Sequence, residues 1–278
     1  MLNASALALT SALALATWSQ SVSQSITSSY PIAAQGTLTV STPNGDIHVT
    51  AWDGPTVEVA ADKRATTKVE LDKLKVDVNV ENGNVYVKSE FPRTCSECEL
   101  SYEVRAPRGV RVSAHTANGE VRVSEIAGSV DVATSNGNIR VTNSGGTVDT
   151  ESASGSIRIE NAGGAVHSKT SSGNIEISGA RGNVDAHAAS GDLNAQFSDL
   201  ASVGAIALGT ANGSVTLGIP RNAGASIAAS TLSGEISGDL STSARQGFAG
   251  VKLERTIGDG RVKINVSTLS GDVVLRSL

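Results

Sequence analysis

The stretches TSNGNIRV at residues 134–141, SASGSIRI at 152–159 and TSSGNIEI at 170–177 repeat one pattern every 18 residues. In each of them a small polar residue and a glycine precede residues that alternate between apolar and polar. Alternation with a period of two is typical of a half-buried β-strand, and a polar residue followed by glycine suits a tight turn. A second series, offset by nine residues, contains GTVDT at 146–150 and GAVHS at 164–168. The repeating unit is therefore predicted to form two strands and two turns.

Identical spacing allows successive units to stack in register, with equivalent residues on neighbouring strands about 4.8 Å apart. One unit cannot bury its apolar face alone, so stacked neighbours are expected to stabilise one another, as in other repeat proteins. We therefore predict an all-β fold, a two-sheeted β-solenoid of 18-residue rungs with a wider N-terminal β cap, where a rung is one repeating unit. Its aliphatic core is predicted to consist of stacked columns, one of which contains Val121, Ile139, Ile157, Ile175 and Leu193.

Residues 1–16 form a short apolar run without a charged side chain, and the run ends in Ala14-Leu15-Ala16. This pattern is typical of a signal peptide, and the run is too short to span a membrane. We expect residues 17–35 to be a linker and residues 36–278 to form a single β-solenoid domain. Open solenoid ends expose strand edges and need caps. We therefore expect three parts in this domain: a cap at 36–115, regular rungs at 116–200 and irregular C-terminal rungs at 201–278.

The composition limits the partners of the protein. The 278 residues carry a formal net charge of -5 at pH 7, and only 3% of them are aromatic. A nucleic-acid-binding protein would need a basic surface, so we expect no nucleic acid partner. Nothing after the first apolar run resembles a transmembrane segment, so we expect no integral membrane segment in the mature chain.

Cys95 and Cys98 are the only cysteines in the sequence. A structural zinc site usually needs four ligands, and no second pair of cysteines exists. A thioredoxin-type motif would precede a helix, whereas the flanking residues here predict a loop followed by a strand. In an oxidising compartment the pair is expected to form a small disulfide within a loop.

Three longer blocks give the sequence a family resemblance. They are residues 36–65 (GTLTVSTPNGDIHVTAWDGPTVEVAADKRA), 102–123 (YEVRAPRGVRVSAHTANGEVRV) and 257–275 (IGDGRVKINVSTLSGDVVL). In this order they resemble the bacterial "putative adhesin" family of β-strand-repeat proteins, a domain of unknown function. The resemblance implies an exported β-solenoid with an adhesive or envelope role. It brings no catalytic residues to this chain, and the cysteine pair departs from the family pattern.

Motifs for enzymatic chemistry are absent from the sequence. It contains no G-x-S-x-G nucleophile elbow, no H-E-x-x-H zinc motif and no phosphate-binding G-x-x-x-x-G-K-[ST] loop. Asp131, Asp149 and Asp185 lie inside predicted strands, unlike the turn aspartates of calcium-loaded repeat rolls. We therefore expect no catalytic residue, no cofactor and no resident metal, and we predict that the protein is not an enzyme.

Arg122, Arg140 and Arg158 are predicted to lie in one outward column, which we call the arginine stripe. Stacked like charges repel one another, so this stripe needs either counter-charges or an anionic ligand. One interpretation is a solvated face that is balanced by Glu120, Glu176 and other neighbours. The other is an anion-binding stripe for phosphorylated or acidic glycans.

Histidines and acidic residues on the opposite sheet suggest a second candidate site. Its predicted outward column and flanking residues are Asp131, Asp149, His167 and Asp185, with Lys169 and His187 beside them. His167, Asp185 and His187 either converge as metal ligands or are scattered surface residues. His48 and His115 have no evident partners in the sequence.

These features favour a secreted, periplasmic or cell-surface protein with a structural or adhesive role at the cell envelope. A rigid face of repeated polar side chains would bind a glycan or an envelope protein through many weak contacts. Two alternatives remain open. One is a carbohydrate-active or metal-dependent β-helix enzyme, which would need paired carboxylates in a cleft or zinc at His167. The other is an envelope-stress scaffold whose free sheet edge captures a strand of a partner protein.

Overall fold

A computed structural model describes residues 21–93, 95, 97–241, 245–247 and 250–278. The predicted signal peptide at residues 1–16 lies outside these residues. The described part contains 25 strands and one short helix. None of its helices has the length and apolar character needed to cross a membrane.

Strands occupy most of the described chain, and one helix interrupts them near the N-terminus. The N-terminal elements are β1 (Val22–Pro31), β2 (Thr37–Asn44), β3 (Ile47–Trp52), β4 (Thr56–Ala65), α1 (Lys68–Lys73), β5 (Lys75–Glu81), β6 (Asn84–Glu90), β7 (Glu99–Pro107) and β8 (Arg111–Asn118). The central strands are β9 (Val121–Ser124), β10 (Val130–Asn136), β11 (Ile139–Ser144), β12 (Val148–Ser154), β13 (Ile157–Ala162), β14 (Val166–Ser172), β15 (Ile175–Ser178), β16 (Val184–Ser190) and β17 (Leu193–Gln196). The C-terminal strands are β18 (Ala205–Asn212), β19 (Val215–Ile219), β20 (Ala225–Ser233), β21 (Ile236–Ser237), β22 (Arg245–Gly247), β23 (Gly250–Ile257), β24 (Val262–Ser270) and β25 (Val273–Ser277).

The strands form two sheets, which we call sheet A and sheet B. Sheet A has 12 strands in the order β1-β4-β7-β3-β9-β11-β13-β15-β17-β19-β25-β21, and sheet B has 13 in the order β22-β23-β20-β24-β18-β16-β14-β12-β10-β8-β2-β6-β5. In the regular rungs, each strand pairs in parallel with the equivalent strand of the next rung. Ile139 lies beside Ile157 and Val141 beside Ile159, so paired residues are 18 positions apart. The predicted two-sheeted, all-β solenoid is confirmed.

The core lies between the two sheets and is aliphatic. Successive side chains of a strand point to opposite faces, so the alternating apolar residues all point inward. The predicted column that begins at Val121 and ends at Leu193 is at most 2% exposed, and so is the facing column from Val130 to Val184 in sheet B. Each rung therefore buries its apolar face against the facing sheet and against its two neighbouring rungs.

Most turns from sheet B to sheet A contain a buried hydroxyl group. A threonine or serine three residues before the turn glycine donates a hydrogen bond to the glycine carbonyl of a neighbouring rung. Thr134 Oγ1 lies 3.2 Å from Gly119 O, and Thr170 Oγ1 lies 3.2 Å from Gly155 O. The same bond recurs from Thr116, Ser152, Thr210, Thr231 and Thr268. A backbone carbonyl that stacking removes from water is thus satisfied in one rung after another.

The glycine of this turn is required by the close approach of two rungs. Gly137 has a φ of +155°, and a Cβ atom built on it would lie 1.9 Å from Gly119 O. Any side chain at this position would force the two turns apart and strain the backbone.

The N-terminal cap departs from the parallel pattern of the regular rungs. β4 pairs antiparallel with β7, and β5 pairs antiparallel with β6. The helix α1 connects β4 to β5 and begins with a capping box, in which Thr67 Oγ1 accepts a hydrogen bond from Glu70 N. Within the cap, burial raises the pKa of Tyr102 to about 12, while its hydrogen bond with Ser89 Oγ acts in the opposite direction.

The predicted linker at residues 17–35 is corrected over residues 22–31, which form β1 at the edge of sheet A. β1 pairs antiparallel with β4 along its whole length. Its large apolar residues are four positions apart, at Val22, Ile26 and Tyr30, with serines and threonine at most other positions. The segment therefore lacks the period of two by which the other strands are recognised.

The C-terminal rungs do not stack in the order of the sequence. β24 lies between β18 and β20 in sheet B, and β25 lies between β19 and β21 in sheet A. The turn at Gly213 therefore lies against the turn at Gly271, since Thr268 Oγ1 donates to Gly213 O at 2.9 Å. Thr231 Oγ1 in turn donates to Gly271 O at 2.8 Å. These turns have similar sequences, so any two of them can stack on each other. The order of the turns in the sequence therefore does not predict which turns are neighbours in the structure.

The turn hydroxyl predicts a stabilising substitution. Ala188 occupies this position in one rung, between Thr170 and Thr210 on the neighbouring strands, and is 6% exposed. We expect A188T to raise the free energy of unfolding by about 1 kcal/mol, because the new hydroxyl can donate to Gly173 O. Urea denaturation measures the change. A188V is the matched control, since valine has the shape of threonine without its hydroxyl; a gain from A188V equal to that from A188T would contradict the role of the bond.

Candidate binding surface

The arginine stripe lies on the outward face of sheet A, as its spacing in the sequence predicts. Arg122 pairs with Arg140 in register, and Arg140 pairs with Arg158. His48 precedes them in the same column, and Glu176 follows them. Three guanidinium groups therefore stand on adjacent strands, which are about 4.8 Å apart.

The two outer arginines of the stripe are held by carboxylates. Arg122 Nε and Nη2 donate to Glu120 Oε1 and Oε2 at 2.8 and 2.7 Å. Arg158 Nε donates to Glu160 Oε1 at 2.6 Å, and its Nη1 donates to Glu176 Oε2 at 2.5 Å. The hydrogen bond to Glu120 raises the pKa of Arg122, and the hydrogen bond to Glu160 raises that of Arg158. Both side chains are exposed to solvent, so these pairs orient the guanidinium groups rather than stabilise the fold strongly.

The central arginine of the stripe differs from its neighbours. Within the described residues, the Arg140 side chain makes no hydrogen bond and no ion pair. It is exposed, and a positively charged side chain lies on each side of it. The counter-charges expected from the sequence, Glu120 and Glu176, are thus in place for the outer arginines and leave the donors of Arg140 open to solvent.

His48 and His115, for which the sequence suggested no evident partners, both contact other side chains, and those contacted by His115 include Asp131 at 3.8 Å. His48 Nδ1 lies 2.6 Å from Glu103 Oε1, on the neighbouring strand β7. His115 Nε2 lies 2.7 Å from Ser113 Oγ on its own strand. The contact with Glu103 was not predictable from spacing, because four elements of the cap separate β3 from β7 along the chain although the two strands are neighbours in sheet A.

The second candidate site does not assemble into a metal centre. His167 is paired in register with Asp185, and Lys169 with His187. His187 Nε2 lies 2.7 Å from Asp185 Oδ1, and this contact is the close one in the group. Throughout the described part of the chain, no three His, Cys, Asp or Glu side chains lie close enough to hold a metal ion.

The carboxylates at one depression on the outward face of sheet A are open to solvent. A depression of about 560 Å³ on its outward face is lined by Glu58, Glu103 and Arg105 among others. The Glu58 side chain is 37% exposed and lies 3.8 Å from Arg105 Nη1, while that of Glu103 is 64% exposed. An open, solvated surface of this kind suits the binding of a polar ligand better than general acid catalysis, which needs a shielded carboxyl group.

Cys95 and Cys98 are joined by a disulfide, with their Cα atoms 5.6 Å apart. Cys98 is 2% exposed and packs with Ala65, Leu71 and Leu74 beside α1. The disulfide therefore lies in the cap, away from the arginine stripe.

The chain is similar to several solved structures and to none of the curated proteins. A putative adhesin from Bacteroides fragilis is 12% identical in sequence, with a TM-score of 0.51, over 92% of this chain and 97% of that one. A putative cell adhesion protein from Clostridium sporogenes is 10% identical, with a TM-score of 0.35, over 92% of this chain and 100% of that one. A putative lipid binding protein from Parabacteroides distasonis is 12% identical, with a TM-score of 0.44, over 91% and 97% of the two chains.

At such low identity, the Bacteroides fragilis protein supports the fold alone. The sequence itself carries the family relationship, because the model of the family described as Toastrack DUF4097 matches residues 14–205 and 164–276. These two matches together span nearly the whole chain and confirm the family resemblance that the three sequence blocks indicated. The chain belongs to the Toastrack DUF4097 family.

Proposed function

We propose that this protein is an exported, non-enzymatic β-solenoid with a structural or adhesive role at the cell envelope or surface. The observation that carries the proposal is the outward face of sheet A, where the guanidinium group of Arg140, unpaired among the described residues, stands between two oriented ones. Its partner is an acidic or phosphorylated glycan, whose negative groups would meet the arginine stripe.

The chemistry of arginine supports an anionic partner. A guanidinium group offers several donors in a fixed plane and matches carboxylate and phosphate groups geometrically. Arg140 has these donors free within the described residues, whereas Glu120, Glu160 and Glu176 occupy those of its neighbours. An anion at Arg140 would also relieve the repulsion within the column. The centre of the stripe, at Arg140, is therefore where we expect an anionic group of the glycan to bind.

The rigidity of the sheet supports binding through many weak contacts. The rungs hold their outward side chains at a fixed spacing, so a polymeric ligand meets repeated groups without any rearrangement of the protein. When the anionic groups belong to one polymer, each contact after the first forms within an existing complex, at a high effective concentration. The overall affinity therefore exceeds that of a single contact.

Two features support export. Residues 1–16 have the apolar pattern of a signal peptide. The disulfide between Cys95 and Cys98 is a bond that persists in oxidising compartments and is rare in the cytosol.

Binding to charged glycans tests the role of the stripe. We expect R140E to reduce retention on immobilised acidic polysaccharides by about tenfold, because a carboxylate in the column repels the ligand. R111E is the matched control, since Arg111 is an exposed arginine of sheet B and the charge change is the same. Equal losses from R140E and R111E would indicate a general charge effect and contradict a site at the stripe.

Mass spectrometry of the protein from cell fractions tests export. We expect the mature chain to begin at Thr17, after the Ala14-Leu15-Ala16 sequence, and to be found outside the cytoplasm. An intact N-terminus on protein that remains in the cytoplasmic fraction would contradict this part of the proposal.

A further inference from the structure

The two sheets end unevenly at the N-terminal end of the solenoid. Beyond β3, sheet A continues with β7, β4 and β1, whereas beyond β2 sheet B continues with only β6 and β5. In the first pair of strands beyond β2 and β3, β6 of sheet B stands opposite β7 of sheet A. In the next pair, β5 stands opposite β4, and α1 connects the two. Among the described strands, none stands opposite β1 in sheet B. The space beside β5 and opposite β1 is thus one strand wide, and we call it the end slot.

The walls of the end slot are side chains of three strands, most of which face the core. They enclose a cleft of about 360 Å³, lined by Ile26, Ser28, Tyr30, Val59, Ala61, Lys63, Lys75, Val76 and Val78. Val80, on the same face of β5, is 41% exposed, although its register partner Val85 on β6 is fully buried. The aliphatic core therefore continues into the slot and is open to solvent there.

The backbone of β5 offers hydrogen bonds along one side of the slot. β5 is seven residues long and pairs with β6 on one edge, and no described strand pairs with its other edge. At the opposite end of the solenoid, the terminal strands β21 and β22 have only two and three residues. Proteins commonly shorten or cover exposed edges, because a free row of N–H and C=O groups pairs with any extended chain. Among the described strands, β1 also leaves its outer edge unpaired, but the free edge of β5 is the one that lies next to the uncovered apolar side chains of the end slot.

The slot also has a charge polarity. Lys63 and Lys75 both lie at the end near α1, where Lys63 Nζ donates to Leu74 O at 2.7 Å. A strand antiparallel to β5 would bring its C-terminal end to Lys75. β6 does this on the other edge of β5, where Glu90 pairs with Lys75 in register. A carboxylate at the C-terminal end of an incoming strand would therefore meet two amino groups.

We propose that the end slot captures an extended segment of a partner polypeptide, which adds to sheet B as a strand antiparallel to β5. Alternate side chains of this segment are apolar and pack on Ile26, Tyr30 and Val78, and an acidic group at its C-terminal end pairs with Lys63 and Lys75. This mode of recognition takes its affinity from main-chain hydrogen bonds and its specificity from alternate side chains. The proposal does not depend on glycan binding by the arginine stripe.

A peptide with the sequence of β6, NVYVKSE, is a suitable probe because this sequence already pairs with β5 in the native sheet. Its binding to the full chain is measured by fluorescence anisotropy, and amide hydrogen exchange reports where it binds. We expect the peptide to slow exchange along β5. Two further peptides carry N-methyl groups on one or the other set of alternate amides. Only one set faces β5, so one of the two is expected to lose binding and the other to keep it.

Substitutions in β5 give the matched test in the protein. We expect V78K to weaken binding of the peptide by about tenfold or more, because an inward lysine at an edge puts a charge into the slot. N79K adds the same charge to the adjacent residue on the outward face and should change the affinity less than about twofold. Circular dichroism confirms that both variants are folded, and Y30S provides a second loss of contact from the opposite wall. Replacing the last residue of the peptide by Gln should weaken binding and reduce its dependence on salt.

Several outcomes would overturn the proposal. Equal binding of both N-methylated peptides would show apolar adhesion without strand pairing. Equal effects of V78K and N79K would place the peptide elsewhere. Slow exchange along β5 before the peptide is added, together with no binding, would show that residues 1–20 or a second copy of the chain already fills the slot.

Discussion

The structure depends on the close stacking of one backbone turn on the next. The glycine carbonyl of each Asn-Gly or Ser-Gly turn lies where a side chain of the neighbouring glycine would otherwise be, and in most rungs a buried threonine or serine hydroxyl donates to it. In the regular block every rung has the same length, so this contact recurs with paired residues 18 positions apart. This register alone aligns the apolar columns of the core, because every inward residue lies beside the equivalent residue of the next rung.

The same constraint shapes the surface. Identical outward residues must lie side by side, so a repeated arginine becomes a stripe of like charges that needs counter-charges or a ligand. Glutamates within the same or the next rung orient the outer two arginines, and Arg140 remains open within the described residues. The constraint cannot close the ends of the stack, since the last rung has no neighbour. At the N-terminal end, the cap covers the last rung with antiparallel strands, a helix and a disulfide. One strand position in sheet B has no described occupant.

The sequence predicted what repeats and missed what does not. The columns through Ile139 and Ile157, the turns and the arginine stripe follow from a period of 18 residues, which needs no knowledge of long-range contacts. The strand β1 was missed because its inward positions include Ser28, which borders the open slot rather than the packed core. The contact between His48 and Glu103 and the insertion of β24 between β18 and β20 depend on pairings between distant parts of the chain. No local pattern encodes these pairings.

Engineered disulfides across sheet A test the register of the stack most directly. Thr142 and Glu160 are paired in register on adjacent strands, whereas Glu151 lies between them in sequence on sheet B. In T142C/E160C the two Cα atoms lie within the range that a disulfide spans. The account predicts that mild oxidation links this pair within one molecule, as peptide mapping by mass spectrometry would show, without loss of the folded state. It also predicts that T142C/E151C remains unlinked. A disulfide in T142C/E151C, with none in T142C/E160C, would contradict the 18-residue stack.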